Sequence, residues 1–326
     1  MNNIGIDVSK HKLDCLWLKD PQLNKVKTKV FKNTPEEHQL LGRWLLDQTQ
    51  TDASDIRIVL EATGVYHEAV AHSLHQQGFI VCVVNPARAK EFAKSLGHQH
   101  KTDAKDSLAL ALFGQAMKPD VWEPEPLEIK ELRSLISRLQ ALEMDYQREF
   151  NRLEKAQVSQ ESERIIESLG LMMKHLKDEK LRLEQDIDDH INRHPHLKKN
   201  QKLLCSIPAI GPVLSRIMIS IIHSDRFKSA GQVSAFLGLI PKIQESGLWK
   251  GRSRLSKRGP AKVRAKLYMA AIVAIRHNPD IKNQYERLLA NGKTKMQALG
   301  AAMRKLVQIC FGVIKHQNEY YPQLKN

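Results

Sequence analysis

Short apolar runs within the first 85 residues constrain the fold of this chain more than any other feature. They are rich in β-branched and aliphatic side chains and have the length of strands: residues 3–8, 13–18, 25–31, 56–60 and 79–85. The polar segment Ser9–Lys12 predicts a tight turn between the first two. Helical patterns begin near Thr34, near His67 and after Pro86, and another covers residues 102–117. The pattern predicts an α/β fold, with a mixed sheet that carries helices on its faces.

A long polar region follows the prolines at 119, 124 and 126. Its apolar residues recur at alternating gaps of three and four, at Leu132, Leu135, Leu139, Leu142, Tyr146, Phe150 and Leu153. That spacing is typical of a coiled-coil seam. A second helix with one apolar face is predicted to end before Pro195. We interpret residues 121–200 as a helical hairpin or coiled coil, which either packs on its own protein or serves as an oligomerisation element or spacer.

Charge is distributed unevenly along the chain. The net charge is +15, yet residues 1–120 sum to +1 and residues 121–200 to −3, whereas residues 201–326 carry 22 basic and five acidic side chains. A domain of that composition attracts polyanions such as nucleic acid. We therefore expect three parts, residues 1–120, 121–200 and 201–326, with a mainly helical, polyanion-binding C-terminal part.

A helix–turn–helix pattern opens the C-terminal part. The sequence LLCSIPAIGPVLSRIMISII places apolar stretches on either side of Pro208, Gly211 and Pro212. A tight glycine turn there leaves backbone N–H groups free to meet a phosphate, as in helix-hairpin-helix motifs that hold the DNA backbone. A plain helical turn is the alternative.

Cysteine and hydropathy patterns exclude several classes of protein. Cys15, Cys82, Cys205 and Cys310 are scattered and form no metal-ligand spacing, so we expect buried thiols in a reducing compartment and no zinc site. The N-terminus lacks a signal-peptide pattern, and no apolar stretch approaches the roughly 20 residues that span a bilayer. We therefore expect a cytoplasmic protein without a membrane partner.

Four acidic residues are the candidates for a metal site. Asp7 lies inside the first apolar strand and Glu61 ends the fourth, and burying a carboxylate is costly unless it is paired or binds a cation. Asp103 and Asp106 are three residues apart at the start of a helix, where their charge also complements the helix dipole. Together the four predict a site for one or two Mg²⁺ ions at one edge of the sheet.

The motifs GIDVSK, LEATG and KTDAKD, which carry these acids, resemble the D-E-D-D set of RuvC-like, ribonuclease H-type domains. More specifically, the chain resembles insertion-sequence transposases of the bridge-RNA-guided recombinase family. The similarity continues in order through VNPARAK, IPAIGPVLS, FLGLIPKIQESG and RLSKRGPAKVRAKLYMAA, and so covers nearly the whole chain.

The resemblance implies a RuvC-like domain, a coiled-coil segment and a C-terminal transposase domain with a nucleophilic serine. The serine that matches the family's Glu-Ser-Gly motif is Ser246, and Mg²⁺ at the acidic set is expected to assist it. A structured guide RNA is expected to pair with target and donor DNA, so that sequence choice rests on base pairing. Strand exchange at two sites implies a homo-oligomer, a dimer or tetramer.

A basic cluster surrounds the candidate nucleophile. The residues predicted to bind nucleic acid are Lys250, Arg252, Arg254, Lys257, Arg258, Lys262, Arg264 and Lys266. Such a cluster binds phosphate and neutralises charge in a transition state. Ser253 and Ser256 lie in a similarly basic setting, and the residues alone do not rank the three serines.

Two other functions remain open from the sequence. A RuvC-like junction-resolving endonuclease would cut with metal-activated water and form no covalent adduct. A non-catalytic nucleic-acid-binding protein would show salt-sensitive binding that is indifferent to Mg²⁺.

Overall fold

A computed structural model describes residues 1–20, 23, 25–62, 64–96, 103–223, 227–242, 245–246, 249–250 and 254–323. The side chains of residues 103, 104, 245, 249 and 250 are outside this description. The chain forms two compact units, Met1–Pro124 and Glu125–Asn326. The fold class predicted from the sequence, a mixed α/β sheet followed by helices, is confirmed.

The first unit contains a five-stranded sheet whose strands match the apolar runs. They are β1 (Asn2–Val8), β2 (Lys12–Asp20), β3 (Lys25–Lys32), β4 (Ile56–Glu61) and β5 (Ile80–Val84), in the spatial order β3-β2-β1-β4-β5. The first three pair antiparallel, and β4 pairs parallel with both β1 and β5. The predicted turn between β1 and β2 is present, with the Ser9 N–H bonded to the carbonyl of Lys12 at 3.0 Å.

Helices cover both faces of this sheet. They are α1 (Pro35–Thr49), α2 (Tyr66–Gln76), α3 (Pro86–Ser95) and α4 (Asp103–Met117), and a single 3₁₀ turn, Ala53–Asp55, precedes β4. Ile4 and Ile6 of β1 pack with Leu41 of α1 and Leu74 of α2 on one face. On the other face, Val59 of β4 packs with side chains of α3 and α4. Successive side chains of the central strands thus point alternately to the two helical layers.

Helix α4 lies in main-chain contact with β1 at Gly5. A Cβ atom on Gly5 would lie 1.9 Å from the carbonyl oxygen of Ser107 and 2.6 Å from the backbone nitrogen of Ala111. The Ser107 hydroxyl donates a hydrogen bond of 2.7 Å to the carbonyl oxygen of Asp14 in β2. Only glycine at position 5 permits this approach.

The second unit begins with the two long helices that the leucine spacing predicts, α5 (Leu127–Val158) and α6 (Glu163–Arg193). Leu142 of α5 packs with Leu176 and Leu183 of α6, and the Nε2 of His190 donates to the carbonyl of Glu128 at 2.8 Å. The helices therefore run antiparallel as a hairpin. Phe150, which the spacing places on the predicted seam, is 46% exposed within the single chain, so its place in a coiled coil stays a prediction.

Further helices and short strands complete this unit. The helices are α7 (Pro195–Cys205), α8 (Pro212–Ile221), α9 (Ala230–Phe236), α10 (Ala261–His277), α11 (Pro279–Ala290) and α12 (Lys295–His316). The strands are β6 (Pro241–Lys242), β7 (Glu245–Ser246), β8 (Trp249–Lys250) and β9 (Arg254–Leu255). The base of the α5–α6 hairpin shares the apolar core of these helices, through Leu132 and Ile187 among others. Whether residues 121–200 also form a domain of their own stays a prediction.

The predicted turn between α7 and α8 is present, but its left-handed residue is not the glycine. Ala209 has a φ of 81°, whereas Gly211 has a φ of −94°. Ile207 and Ile210 are buried beneath the turn, and Gly211 is exposed with open space around it. An exposed turn of this kind leaves room for a phosphate, and that role stays a prediction.

Three of the four cysteines are buried, as expected, whereas Cys205 is exposed. Burial raises the pKa of Cys82 to about 11 and that of Cys310 to about 12, so both stay protonated thiols at neutral pH. None of the helices in the described part of the chain combines the length and apolar character needed to cross a bilayer.

Candidate functional site: an acidic sheet face and a serine hairpin

Asp7 and Glu61 lie on the face of the sheet that α4 covers. Asp7 alternates with Ile6 and Val8, which point to α1 and α2, and so shares the face of Gly5. Glu61 is two residues beyond Val59, which packs on α4. The parallel register pairs Ile6 with Leu60, so the two acids occupy the next positions on neighbouring strands. Strand spacing places their backbones roughly 4.8 Å apart.

Asp14 is a third acid on this face that the sequence did not single out. It lies directly opposite Asp7 in the antiparallel ladder of β1 and β2, so both side chains project from the same face. Its carboxylate pairs with the ammonium group of Lys12 at 3.1 Å and is 17% exposed. Three neighbouring strands therefore each present one carboxylate in a row. The predicted turn at residues 9–12 was the signal that could have revealed this register.

Helix α4 brings the other two predicted acids to the same end of the sheet. Ser107 lies over Gly5, whereas Gly114 lies beside Asn3, near the beginning of β1. The helix therefore runs antiparallel to β1, and its first turn, with Asp103 and Asp106, lies toward the end of β1 where Asp7 is found. Asp106 is half-buried; the side chain of Asp103 lies outside the described residues.

The described side chains alone do not complete a metal site. Among the residues whose side chains are described, no three histidine, cysteine, aspartate or glutamate side chains come close enough to hold a metal ion. The fit of the site to Mg²⁺ therefore rests on chemistry and placement: its donors are carboxylates, which hard divalent ions prefer, and Asp7, Glu61 and Asp106 are half-buried rather than fully exposed. Mg²⁺ binding by the full set stays a prediction.

Ser246 lies in a small antiparallel hairpin that the sequence did not predict. The strands β6 and β9 pair Pro241 with Leu255 at its base, and β7 and β8 pair Ser246 with Trp249 further out. Each strand has only two residues. The Ser246 side chain is exposed, so its hydroxyl is accessible to a large substrate.

Main-chain contacts fix the base of this hairpin. The N–H groups of Ser256 and Lys257 donate to the carbonyls of Ile240 and Gly238, at 2.9 and 3.1 Å. Gly259 has a φ of 132°, and a Cβ atom there would lie 2.1 Å from the carbonyl oxygen of Phe236. The serine hairpin, residues 241–255, is thus anchored on a platform formed by residues 236–240 and 256–259.

Arg264 belongs to this platform rather than to an exposed surface. Its guanidinium donates to the carbonyl of Gly259 at 2.8 Å and to that of Leu237 at 3.4 Å. Lys266 is half-exposed and lies 3.7 Å from a carboxylate oxygen of Glu143 in α5. Both residues therefore have structural partners beside the nucleic-acid role predicted for them.

The remaining basic residues differ in how far the structure describes them. Arg254, Lys257, Arg258 and Lys262 are exposed. The side chain of Lys250 and the whole of Arg252 lie outside the described residues. From Leu237 to Lys266 the sequence contains nine basic residues and one acid, Glu245, so the surroundings of the hairpin are strongly positive.

The burial of the serines separates two of the three candidates. The hydroxyl oxygen of Ser256 is buried and has no hydrogen-bond partner among the described residues. A DNA phosphate has no direct access to that oxygen, whereas Ser246 is exposed. Ser253 lies outside the described residues.

Comparisons with known proteins agree with the order of these elements. Residues 4–158 match a family model described as a transposase, of the DEDD type in IS110 elements. Residues 201–286 match a second model, described as the transposase IS116/IS110/IS902 family.

Similar proteins are found among DNA-rearranging and insertion-element proteins. The pilin gene-inverting protein of Moraxella bovis is 30% identical over 97% of both chains, and its counterpart in Moraxella lacunata is equally similar. An uncharacterized 42 kDa protein of insertion element IS900 from Mycobacterium paratuberculosis is 25% identical over 42% of this chain and 34% of its own. A solved RuvC from T. thermophilus, in complex with a Holliday junction substrate, is 18% identical over 36% of this chain and 96% of its own, with a TM-score of 0.27. At that score the likeness carries no argument.

The two matched models, which together cover most of the chain, define a transposase. With a full-length relative at 30% identity, the chain belongs to the IS110 family of transposases. Membership in this family makes DNA the substrate class.

Proposed function

We propose that this transposase cuts and rejoins the DNA of its own insertion sequence through Ser246, with Mg²⁺ held by Asp7, Glu61, Asp103 and Asp106. The observation that carries the proposal is the convergence of acids from β1, β4 and the first turn of α4 at one end of one sheet face. Glu61 and Asp103 are 54 and 96 positions from Asp7 in the sequence, so their backbone positions at this end of the sheet are a product of the fold rather than of sequence proximity.

The acidic face supplies the phosphate-activating half of the chemistry. A divalent ion bound there would neutralise phosphate charge and lower the pKa of an attacking oxygen. The four carboxylates would hold and orient that ion. Asp7, Glu61 and Asp106 are half-buried, which would strengthen the interaction, because charges attract more strongly away from bulk water.

Ser246 is the proposed nucleophile. Its oxygen bonds to a DNA phosphorus and loses its proton, while the deoxyribose oxygen of the cut strand leaves and takes up a proton. Attack of a free strand-end hydroxyl on this phosphoserine ester then restores the serine and joins the new strands. Exposed cations beside the hairpin, Arg254 and Lys257 among them, stabilise the charge of the phosphate during both steps.

Guide RNA and self-association complete the proposal. The C-terminal excess of 22 basic over five acidic residues supports binding of nucleic acid beyond one DNA duplex, and the family resemblance makes the second partner a structured RNA. The outer half of the α5–α6 hairpin exposes Val158, Leu171 and Met172, which supports a coiled-coil contact between copies in a dimer or tetramer.

Covalent trapping tests the proposal. Full-length protein, Mg²⁺, RNA transcribed from the DNA flanking the gene and an end-labelled DNA target are combined and run on a denaturing gel. The native chain is expected to form a protein–DNA adduct that Ser246→Ala abolishes. Ser256→Ala is the matched control, since its buried oxygen should make it dispensable. Asp7→Asn should remove the adduct while binding of nucleic acid persists.

Other results would redirect the assignment. Cleavage without any adduct would favour a junction-resolving endonuclease that uses water. An adduct that survives Ser246→Ala but not Ser253→Ala would move the nucleophile. Salt-sensitive binding that is indifferent to Mg²⁺, with no cleavage, would indicate a non-catalytic nucleic-acid-binding protein.

A further inference from the structure

The outermost strand of the first unit carries a row of lysines that the proposed function does not use. Half of the eight residues of β3 are lysines, all exposed, and none is acidic: Lys25, Lys27, Lys29 and Lys32. The first three lie on the α1 face, where Lys27 donates to Gln48 and the Nζ of Lys29 lies 4.9 Å from the ring centre of Phe31.

Positive charge in this unit is gathered along one edge. Residues 10–32 contain seven lysines and two aspartates, a net of +5. The other residues up to 120 contain eight basic and 12 acidic side chains, a net of −4. A unit that is almost neutral as a whole therefore has one basic edge, formed by β2 and β3.

Only the Lys32 end of this basic edge lies on the face that carries the acids; Lys25, Lys27 and Lys29 lie on the opposite face of the same strand. Lys32 of β3 is paired with Lys12 of β2, and the Lys12 ammonium lies 3.1 Å from the carboxylate of Asp14. Asp14 in turn lies opposite Asp7. From Lys25 to Lys32 the strand extends over roughly 24 Å. One strand of B-DNA has a phosphate every ~3.4 Å along the axis, so this edge matches about seven nucleotides.

We propose that the basic edge, β2 and β3 with their lysines, binds the backbone of the DNA strand whose phosphate is presented to the acidic face. The inference rests on the proposed function, because it assigns the edge to the same DNA substrate. Phosphates and lysines attract each other without regard to base sequence, which suits an element whose sequence choice is made elsewhere.

Lysines on an edge strand have a competing role, since they also discourage pairing with the edge of another sheet. Glutamate at the same positions keeps a charged edge but repels phosphate. Charge reversal therefore separates the two roles, whereas removal of charge would not.

The experiment measures the salt dependence of DNA binding by the full-length protein with its RNA and a labelled DNA target. All variants carry Asp7→Asn, so that no cleavage is needed. One set adds Lys25→Glu, Lys27→Glu and Lys29→Glu. The matched control adds Lys90→Glu, Lys94→Glu and Lys118→Glu, the same charge change on exposed residues of the same unit.

The edge set is expected to lower the slope of log affinity against log salt by about three, roughly one for each phosphate that the edge no longer binds, and the control by less than about one. Equal slopes for the two sets would overturn the inference. Unchanged thermal melting and oligomeric state exclude misfolding; if the triple glutamate set is unfolded, the three charge reversals are made one at a time, and each is expected to lower the slope by about one.

A cross-linking experiment tests independently whether DNA lies along the basic edge. A photoreactive amino acid at Val30, which is 59% exposed on β3, is expected to capture DNA. The same photoreactive amino acid in place of Met117, which is 50% exposed at the far end of α4, is not expected to capture DNA. Capture of RNA alone at Val30, or of DNA only at Met117, would contradict the inference. Because neither assay requires strand transfer, the edge can be confirmed even if Ser246 or the metal assignment proves wrong.

Discussion

Asp7 lies on a strand that is bonded to a neighbour on each side, whereas Ser246 lies on a strand of two residues. The ladder of β1 and β2 pairs six residues, and that of β1 and β4 pairs five. The ladder that holds Ser246 pairs two. The acids are thus placed by the register of a central sheet, and the serine by a hairpin whose base is anchored.

This difference means that the acids are held in fixed positions, whereas the serine hairpin can move more easily. Metal ligands of the kind proposed for Asp7 and Glu61 must keep their spacing to a fraction of an ångström, and a central sheet provides that. A nucleophile of the kind proposed for Ser246 must follow a DNA strand through exchange, and a two-residue ladder with few backbone hydrogen bonds opens at low cost. In both sites the decisive support is a main-chain contact, at Gly5 in one and at Gly259 in the other.

The largest effect is expected from Gly5→Ala, which tests whether the main-chain contact between α4 and β1 holds the acids of the sheet face in position. The new Cβ would meet backbone atoms of Ser107 and Ala111 at 1.9 and 2.6 Å, so α4 must separate from the sheet. We expect a loss of about 3 kcal/mol or more in the free energy of unfolding, measured with denaturant, and loss of Mn²⁺ binding.

Gly114→Ala is the control within the same helix. Its Cβ would meet the Cγ2 of Val59 at 2.7 Å, and its three nearest contacts are all side-chain atoms rather than main-chain atoms. The expected loss is about 1 kcal/mol or less, since alanine also favours the helix. Equal losses for the two variants would show that the contact at Gly5 has no special role.

A second, local effect is expected from Gly259→Ala, which tests whether the platform positions the serine hairpin. Alanine is strained at a φ of 132°, and its Cβ would lie 2.1 Å from the carbonyl of Phe236. The yield of the Ser246 adduct should fall at least about tenfold, a loss of about 1.4 kcal/mol in the barrier. Mn²⁺ binding, measured by electron paramagnetic resonance, should stay unchanged. A normal adduct would mean that the hairpin is positioned without the platform.

The smallest effect is expected from Gly300→Ala, where the hairpin meets α12 through a side chain. A Cβ atom on Gly300 would lie 3.5 Å from Leu255, an ordinary contact distance. Alanine within the helix should raise the free energy of unfolding by about 0.5–1 kcal/mol and leave the adduct intact. Destabilisation instead would show that the base of the hairpin is packed as tightly against α12 as against residues 236–240.

The sequence was sufficient for most of the first unit, because apolar strands between helices leave few alternatives. All five strands and the four helices were predicted close to their observed bounds. Asp7 and Glu61 were selected because acids in apolar runs are costly. Asp14 was missed because it belongs to an ordinary alternation of polar and apolar residues, and only the register with Asp7 gives it a place in the site.

Less of the second unit could be predicted from the sequence, since its decisive features are contacts between segments that are distant in the chain. Four strands of two residues leave no periodic signal. Arg264 counted as one basic residue among eight, although its partners are the carbonyls of Gly259 and Leu237. Phe150 fits the leucine spacing yet is 46% exposed, because spacing marks a helix face and does not say how far the partner helix covers it. The burial of the Ser256 hydroxyl likewise depends on the fold around it.

The closed base of the serine hairpin also affects how such a protein diversifies. Eleven residues separate Lys242 from Arg254, the last pair of the ladder between β6 and β9. Insertions between these two ends leave the platform untouched, and each doubling of loop length costs only about 0.6 kcal/mol in chain entropy. The segment around Ser246, the proposed nucleophile, can therefore change in length and composition among descendants of this chain while the rest of the unit folds as before.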